Sequence, residues 1–149
     1  LLVTRVLLDT NVILYALGGP HTQAEPCRRI LELVGDGRLQ AEAPVDIVQE
    51  ILHHRNRRLG DRAQAARDAQ AAATLCRLHA VEPQDAREAA RLFADSPRLS
   101  ARDAIFAAIA TRHGLQNILS ADADFDNLPG LRRIDPSDTA AVASLAGEA

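Results

Sequence analysis

The chain has 149 residues, 17 basic against 20 acidic for a formal charge of −3, and is 47% hydrophobic with only 3% aromatics. At roughly 100–200 residues per domain this is one domain, able to bury a core of Leu, Ile, Val and Ala without a disulfide or metal staple. All the basic residues are arginines, and the missing lysine excludes Walker A nucleotide hydrolases, pyridoxal enzymes and kinases, each of which needs one.

Methionine is absent, and Leu1 and Leu2 are not assigned to the fold. Residues 3–8 form a short, mostly apolar, β-branched run stopped by Asp9-Thr10-Asn11, the pattern of a buried strand. Asn11 is placed to cap a helix over 12–17, closed by Gly18-Gly19-Pro20. A helix over 23–34 presents Ile30, Leu31 and Val34 on one face and stops at Gly35-Asp36-Gly37. A short strand is expected over 38–42, and Pro44 suits the first turn of a helix running to 57. Residues 61–78 are alanine-rich and free of breakers, which predicts one long helix. A strand over 79–82 follows, then a helix opened by Pro83 and running to 95. Ser100 caps a helix over 101–113, stopped by Gly114. Short strands over 117–119 and 131–134 complete the pattern, and the tail over 135–149 is expected to be loose. Strands alternating with helices predict an α/β domain whose parallel sheet is covered on both faces.

Four acidic positions carry the candidate chemistry. Asp9 stands at the carboxyl end of the first strand, where open α/β sheets place ligand-binding residues; it also suits the cap of the next helix. Glu50 projects from the helix face opposite Val45, Val48 and Leu52, near Asp46, His54 and Arg57, the pattern of a solvated face. Its Glu-x-x-His with His53 would need a second copy to build a di-iron bundle, and the chain has none. Asp103 shares a helix face with Phe106, Ala107 and Ala110. A carboxylate over an apolar stripe wants a cation, although Ser100-x-x-Asp103 also spells a capping arrangement; one residue can serve both ends. The run Ser120-Ala-Asp122-Ala-Asp124-Phe125-Asp126 leaves a short strand as Asp9 does, and reads as an acidic turn or as a second ligand loop.

Taken in order, strand-Asp9-Thr10-Asn11, Val-Gln-Glu50-Ile-Leu, Ala-Arg-Asp103-Ala and Ser120-Ala-Asp122-Ala-Asp124-Phe125 resemble a PIN-domain ribonuclease. More narrowly they are similar to the VapC-type toxins of bacterial toxin–antitoxin pairs, over residues 3–134. The resemblance implies a PIN-like three-layer α/β/α sandwich with a central, mostly parallel five-stranded sheet. It implies that Asp9, Glu50, Asp103 and Asp122 gather around one or two Mg²⁺ or Mn²⁺ ions. The match at Asp122 rests on its place three residues before Phe125; Asp124 is then a neighbour, and Asn11 and Ser120 orient the first and fourth acids. It further implies a cytoplasmic endoribonuclease that leaves 5′-phosphate and 3′-hydroxyl ends, is held by a cognate antitoxin, and forms a homodimer. Residues 61–78 and their flanking helices are the expected apolar groove for an antitoxin segment.

The chemistry is consistent with that assignment. Mg²⁺ keeps several waters and binds through one or two carboxylates, so four acids divide into direct and water-mediated ligands. Setting those four aside takes the formal charge from −3 to +1. Arg55, Arg57 and Arg58 beyond Glu50, and Arg98 and Arg102 before Asp103, are then candidate RNA phosphate contacts or ordinary solvated arginines. Cys27 and Cys76 lack metal-ligand spacing and read as free thiols in a reducing cytosol. No apolar run approaches the roughly 18–20 residues of a membrane span, and no leader segment is expected. A haloacid-dehalogenase phosphatase would need Asp where Asn11 stands and a lysine; a receiver domain would need the lysine too. A FEN-like 5′-nuclease shares the acids but is normally larger. The remaining alternatives are a non-toxin RNA-processing PIN nuclease and a silent PIN-like module that binds RNA or a partner without cutting.

Overall fold

The computed structural model describes residues 2–148; Leu1, and Ala149 at the end of the tail, lie outside them. Its centre is one parallel sheet of β1 (Thr4–Leu8), β2 (Leu39–Pro44), β3 (Arg77–His79), β4 (Asn117–Leu119) and β5 (Arg132–Ile134), in the order β3-β2-β1-β4-β5. Val6, Leu7 and Leu8 are consecutive on β1 and all fully buried, although neighbouring strand residues point to opposite faces. Both faces are therefore covered. The covering helices are α1 (Thr10–Leu17), α2 (Ala24–Gly35), α3 (Asp46–Leu59), α4 (Arg62–Leu75), α5 (Pro83–Asp95), α6 (Ala101–Arg112) and α7 (Thr139–Leu145). This is the expected three-layer α/β/α sandwich with five parallel strands.

The strand order fixes where a ligand fits. The chain builds outward from β1 through β2 to β3, then returns to lay β4 and β5 on the other side of β1. At that reversal the connections leave β1 and β4 in opposite directions and open a crevice at their carboxyl ends. The Asp9 amide donates to the Leu119 carbonyl across this point at 3.1 Å, and the Ser120 amide to Ile134 at 3.2 Å.

Several elements begin or end away from their expected positions. The first helix begins at Thr10 instead of residue 12, so Asp9 holds the capping position and Asn11 lies inside the helix; the Asp9 side chain makes no capping bond. Pro44 ends β2 instead of opening α3. Pairing with β1 stops at Glu42, so a residue without an N–H costs no ladder bond on that side. The alanine-rich helix stops at Leu75, and Leu78 joins β3 beside Ala43. Small side chains at Ala65, Ala69 and Ala72 let α4 pack closely against α3.

On α3 the buried residues are Ile47, Glu50, Ile51 and Arg55, whereas Val45 and Leu52 are exposed. The apolar arc expected from the helical wheel is thus the wrong one, and Glu50 faces inward. The tail is not loose. Asp138 caps α7 by accepting the Ala141 amide at 3.1 Å, Val142 and Ala146 are buried, and Glu148 pairs with Arg29 at 3.0 Å. Cys27 and Cys76 are free and buried, and burial pushes their thiols up to about 12 and about 11, so both are inert.

One buried charge holds the middle of the sheet. Glu42 on β2 is fully buried; it accepts from Arg5 Nε at 2.5 Å and from His79 Nε2 at 2.6 Å. Burial alone would raise its carboxyl, but Arg5 and His79 outweigh burial and hold it below the usual range. A group whose folded pKa is depressed stabilises above its unfolded value and loses that contribution as pH falls. Arg5→Leu leaves the carboxylate with only the His79 imidazole and the Gln40 amide beside it, and at neutral pH is expected to cost about 3 kcal/mol in urea unfolding. The difference from wild type should shrink as the pH drops below about 4, where the carboxylate takes up a proton.

Candidate functional site

The crevice at the end of β1 and β4 is organised by one hydroxyl. Ser120, fully buried, donates its Oγ–H to Asp9 Oδ2 at 2.6 Å. The same oxygen accepts from Asn11 Nδ2 at 3.3 Å and from the Asp122 amide at 3.0 Å, while Asn11 Oδ1 accepts the Ala121 amide at 3.3 Å. Asn11 and Ser120 therefore tie the start of α1 to the acidic loop and fix the Asp9 carboxyl. This explains why Asn11 is not a cap: its side chain is already used.

Burial pushes the Asp9 carboxyl up to about 7 against the Ser120 hydrogen bond, and the like charges of Asp103 and Glu50 add to the rise. Burial likewise raises Glu50, against the nearby Thr10 hydroxyl and the charge of Arg102, with Asp103 and Asp46 adding to the rise. Arg102 Nε forms an ion pair with the buried Glu50 Oε1 at 3.2 Å, without the geometry of a hydrogen bond. Glu50 borders a cavity of about 320 Å³ lined by Asp46, Gln49, His53 and Arg102.

Asp103 enters from the first turn of α6, a helix buried almost all round through Ala104 and Phe106–Ala110. Its amide donates to Ser100 Oγ at 3.1 Å, so Ser100 caps the helix, and the same hydroxyl lies close enough to the Asp103 carboxyl to oppose its rise. Burial raises that carboxyl, with Asp122 and Asp124 adding to the rise. Asp122 accepts the Asp124 amide at 2.9 Å at the start of a 3-10 turn, Ala123–Phe125, pinned by the buried Phe125. The four acids anticipated from sequence thus influence one another in a chain: Asp9 with Asp103 and Glu50, and Asp103 with Asp122.

The arginines divide. Arg55 is buried against Asp68 at 2.8 Å, which overturns its reading as a phosphate contact and makes it a brace between α3 and α4. Arg98 pairs with Asp124 at 2.9 Å and Arg102 with Glu50, so both are occupied at the rim. Arg57 and Arg58 are exposed and, among the described residues, unpaired. Sequence reasoning missed Thr10 and Asp46; a hydroxyl directly after the strand acid was the one available signal.

The donor set fits a hard divalent cation. Three half-buried or buried carboxyls are raised by burial and mutual repulsion, and Glu50 Oε1, though ion-paired with Arg102, accepts no hydrogen bond. Among the described residues no three such side chains stand close enough together to form a metal-ligand cluster.

The sequence matches the family described as PIN domain over residues 6–131. It is 33% identical to a protein of Mycobacterium tuberculosis named Ribonuclease VapC7, over 96% of this chain and 99% of that one. Among solved structures, a DNA-bound VapBC from Salmonella typhimurium superposes with a TM-score of 0.69 at 16% identity, covering 91% of this chain and 99% of that one. A toxin–antitoxin complex from Klebsiella pneumoniae superposes with a TM-score of 0.64 at 18% identity, covering 88% and 97%.

The raised carboxyls make the metal-free protein pH-sensitive. A group whose folded pKa lies above its unfolded value stabilises fully below the unfolded value, about 4, and that contribution is lost as pH rises through the folded one, here about 7. Melting in EDTA should therefore fall by several degrees between pH 5 and 8, and Asp9→Asn should flatten that fall. Asp103→Asn should melt no lower than wild type at pH 7.5, because Ser100 keeps the cap and a repulsive charge is gone.

Proposed function

The chain belongs to the PIN-domain family and stands among its VapC ribonucleases, and on that basis we propose that Asp9, Glu50, Asp103 and Asp122 are its catalytic acids. One contrast carries the reading. Buried carboxylates elsewhere in the molecule are matched by cations: Glu42 by Arg5, Asp85 by Arg112 at 2.7 Å, Asp68 by Arg55. Among Asp9, Glu50 and Asp103 only Glu50 has a cation within ion-pair distance, Arg102 at 3.2 Å, and burial with like charge nevertheless raises all three. Titratable groups perturbed in this sense and gathered in one crevice are the mark of a functional site.

PIN-domain ribonucleases are divalent-metal enzymes, and the residues present suit Mg²⁺ or Mn²⁺ held by Asp9, Asp103 and Asp122 with Glu50 bound directly or through water. Such an ion, when bound, lowers the pKa of a water and neutralises charge on a phosphoryl oxygen. The chain's own groups prepare for it. Ser120 and Asn11 orient Asp9, the Asp122 amide ties the fourth acid to the same hydroxyl, and Asp124 draws Arg98 to the rim. Arg102 stands where it can meet a phosphate oxygen once Glu50 is engaged. Among the described residues no Ser-His-Asp or Cys-His arrangement supplies a side-chain nucleophile, which suits hydrolysis of a phosphodiester to 5′-phosphate and 3′-hydroxyl ends.

The biological role that accords with this is the toxin of a toxin–antitoxin pair, cytosolic, held by a cognate antitoxin and acting as a homodimer. The solved neighbours support the partner, since they are toxin–antitoxin complexes. No described helix is long and apolar enough to cross a membrane.

Incubation of the purified protein with RNA should give Mg²⁺-dependent cleavage that EDTA abolishes, with a phosphate on the new 5′ ends and a free hydroxyl on the new 3′ ends. Asp9→Asn and Asp103→Asn should be inactive while folded by circular dichroism; wild-type rates in either would sink the assignment. Ser120→Ala should lose roughly 10- to 100-fold, as outer-shell partners do. A silent binding module would instead hold RNA without cutting it at any metal concentration.

A further inference from the structure

Beside the acids, and continuous with them through Asn11, lies a cavity of about 580 Å³ between α1, the 18–20 turn and α3, a volume in the usual range of ligand sites. One wall is aromatic. Tyr15, the single tyrosine of the chain, stacks on His21 with ring centroids 4.5 Å apart and planes inclined by 26°. The opposite wall is cationic. Arg57 and Arg58 line it without an acidic partner among the described residues, next to His54. His54 is held below its ordinary value by burial and by the positive neighbours His53, Arg102 and Arg57. Gly19 allows the closure, since a Cβ there would stand 3.3 Å from the Arg58 guanidinium. No Asp or Glu lines the cavity, although the chain is acidic overall.

We propose that this cavity is a nucleotide subsite for single-stranded RNA, with a base stacked on the Tyr15–His21 wall and the adjoining phosphates met by Arg57 and Arg58. The proposal rests on the ribonuclease reading and adds to it a place for a nucleotide next to the bond that is cut. An aromatic stack that a base can extend, in the same cavity as unpaired guanidinium groups, is how single strands are held when sequence is read weakly. Asn11 joins the two sites: its amide reaches Ser120 and the acidic loop on one side, and its side chain borders the cavity on the other. Charge decides between occupants. Arg57 and Arg58, unpaired among the described residues in a lining without an acid, favour an anionic occupant, and every nucleotide of RNA brings a negative charge.

Binding of fluorescein-labelled oligo(A) and oligo(U), followed by anisotropy in EDTA, separates this from catalysis because nothing is cut. Tyr15→Ala should weaken binding roughly 5- to 150-fold, the range expected when a base–aromatic stack is removed. Tyr15→Phe should bind as wild type. His21→Ala, at an exposed position that spares the core, should weaken binding in the same direction. Replacing Arg57 and Arg58 by Ala should flatten the salt dependence by about 0.7 in log–log slope for each phosphate no longer neutralised. Wild-type affinity in both Tyr15→Ala and His21→Ala overturns the proposal, as does failure of the wild-type protein to bind either oligonucleotide. So does failure of Tyr15→Ala to hold a co-expressed antitoxin while its RNA affinity stays intact, which would make the cavity a protein-docking site. Cleavage with Mg²⁺ is scored separately: a wild type that cuts RNA while these variants bind normally sinks the subsite and leaves the ribonuclease reading standing.

Discussion

Ser120 donates its hydroxyl to Asp9 across the gap between β1 and β4, and the rest of the site depends on that contact. The oxygen that donates also accepts from Asn11 and from the Asp122 amide, so one buried atom connects the first strand, the first helix and the acidic loop. The sheet order makes this possible. Only at the reversal between β1 and β4 do two strand ends open a crevice instead of being covered by their own crossover helices.

The molecule treats buried carboxylates in two opposite ways. Away from the crevice it matches them: Glu42 and Asp85 sit against Arg5 and Arg112, which together with other hydrogen bonds outweigh burial and hold both below the ordinary range. At the crevice it leaves Asp9, Glu50 and Asp103 facing each other with one partial cation, Arg102, and burial drives them up. A fold stabilised by matched charges can tolerate a local concentration of unmatched ones, and it is that unmatched charge on which the proposed metal site rests. Stability and function thus draw on the same residue type in different surroundings.

Arginine carries every fixed positive side-chain charge, and its planar fork serves three purposes. Arg55 braces α3 against α4 from inside; Arg98 and Arg102 sit on rim carboxylates; Arg57 and Arg58 remain open toward the aromatic wall of Tyr15 and His21. Neighbours on one helix therefore have different fates. Arg55 and Arg57 are two residues apart, which on a helix turns one inward and the other to solvent.

The class of fold, the helix capped by Ser100 and stopped by Gly114, and the four acids in their order were all legible in the amino-acid order, because strand–acid–turn spacing and capping chemistry are local. So was the placing of Asp9 and Ser120 at strand ends, since each acidic turn directly follows a short apolar run. Which face of α3 is buried was not. Val45, Val48 and Leu52 make as good an apolar arc as Ile47 and Ile51, and the choice falls to α1, α4 and β2, whose packing turns Glu50 inward. The same holds for the tail: α7 has too little apolar surface to be recognised alone, yet Val142 and Ala146 are buried there and Glu148 reaches Arg29 of α2. Periodicity shows that a helix has faces, but which face is wet depends on neighbours far away in the chain.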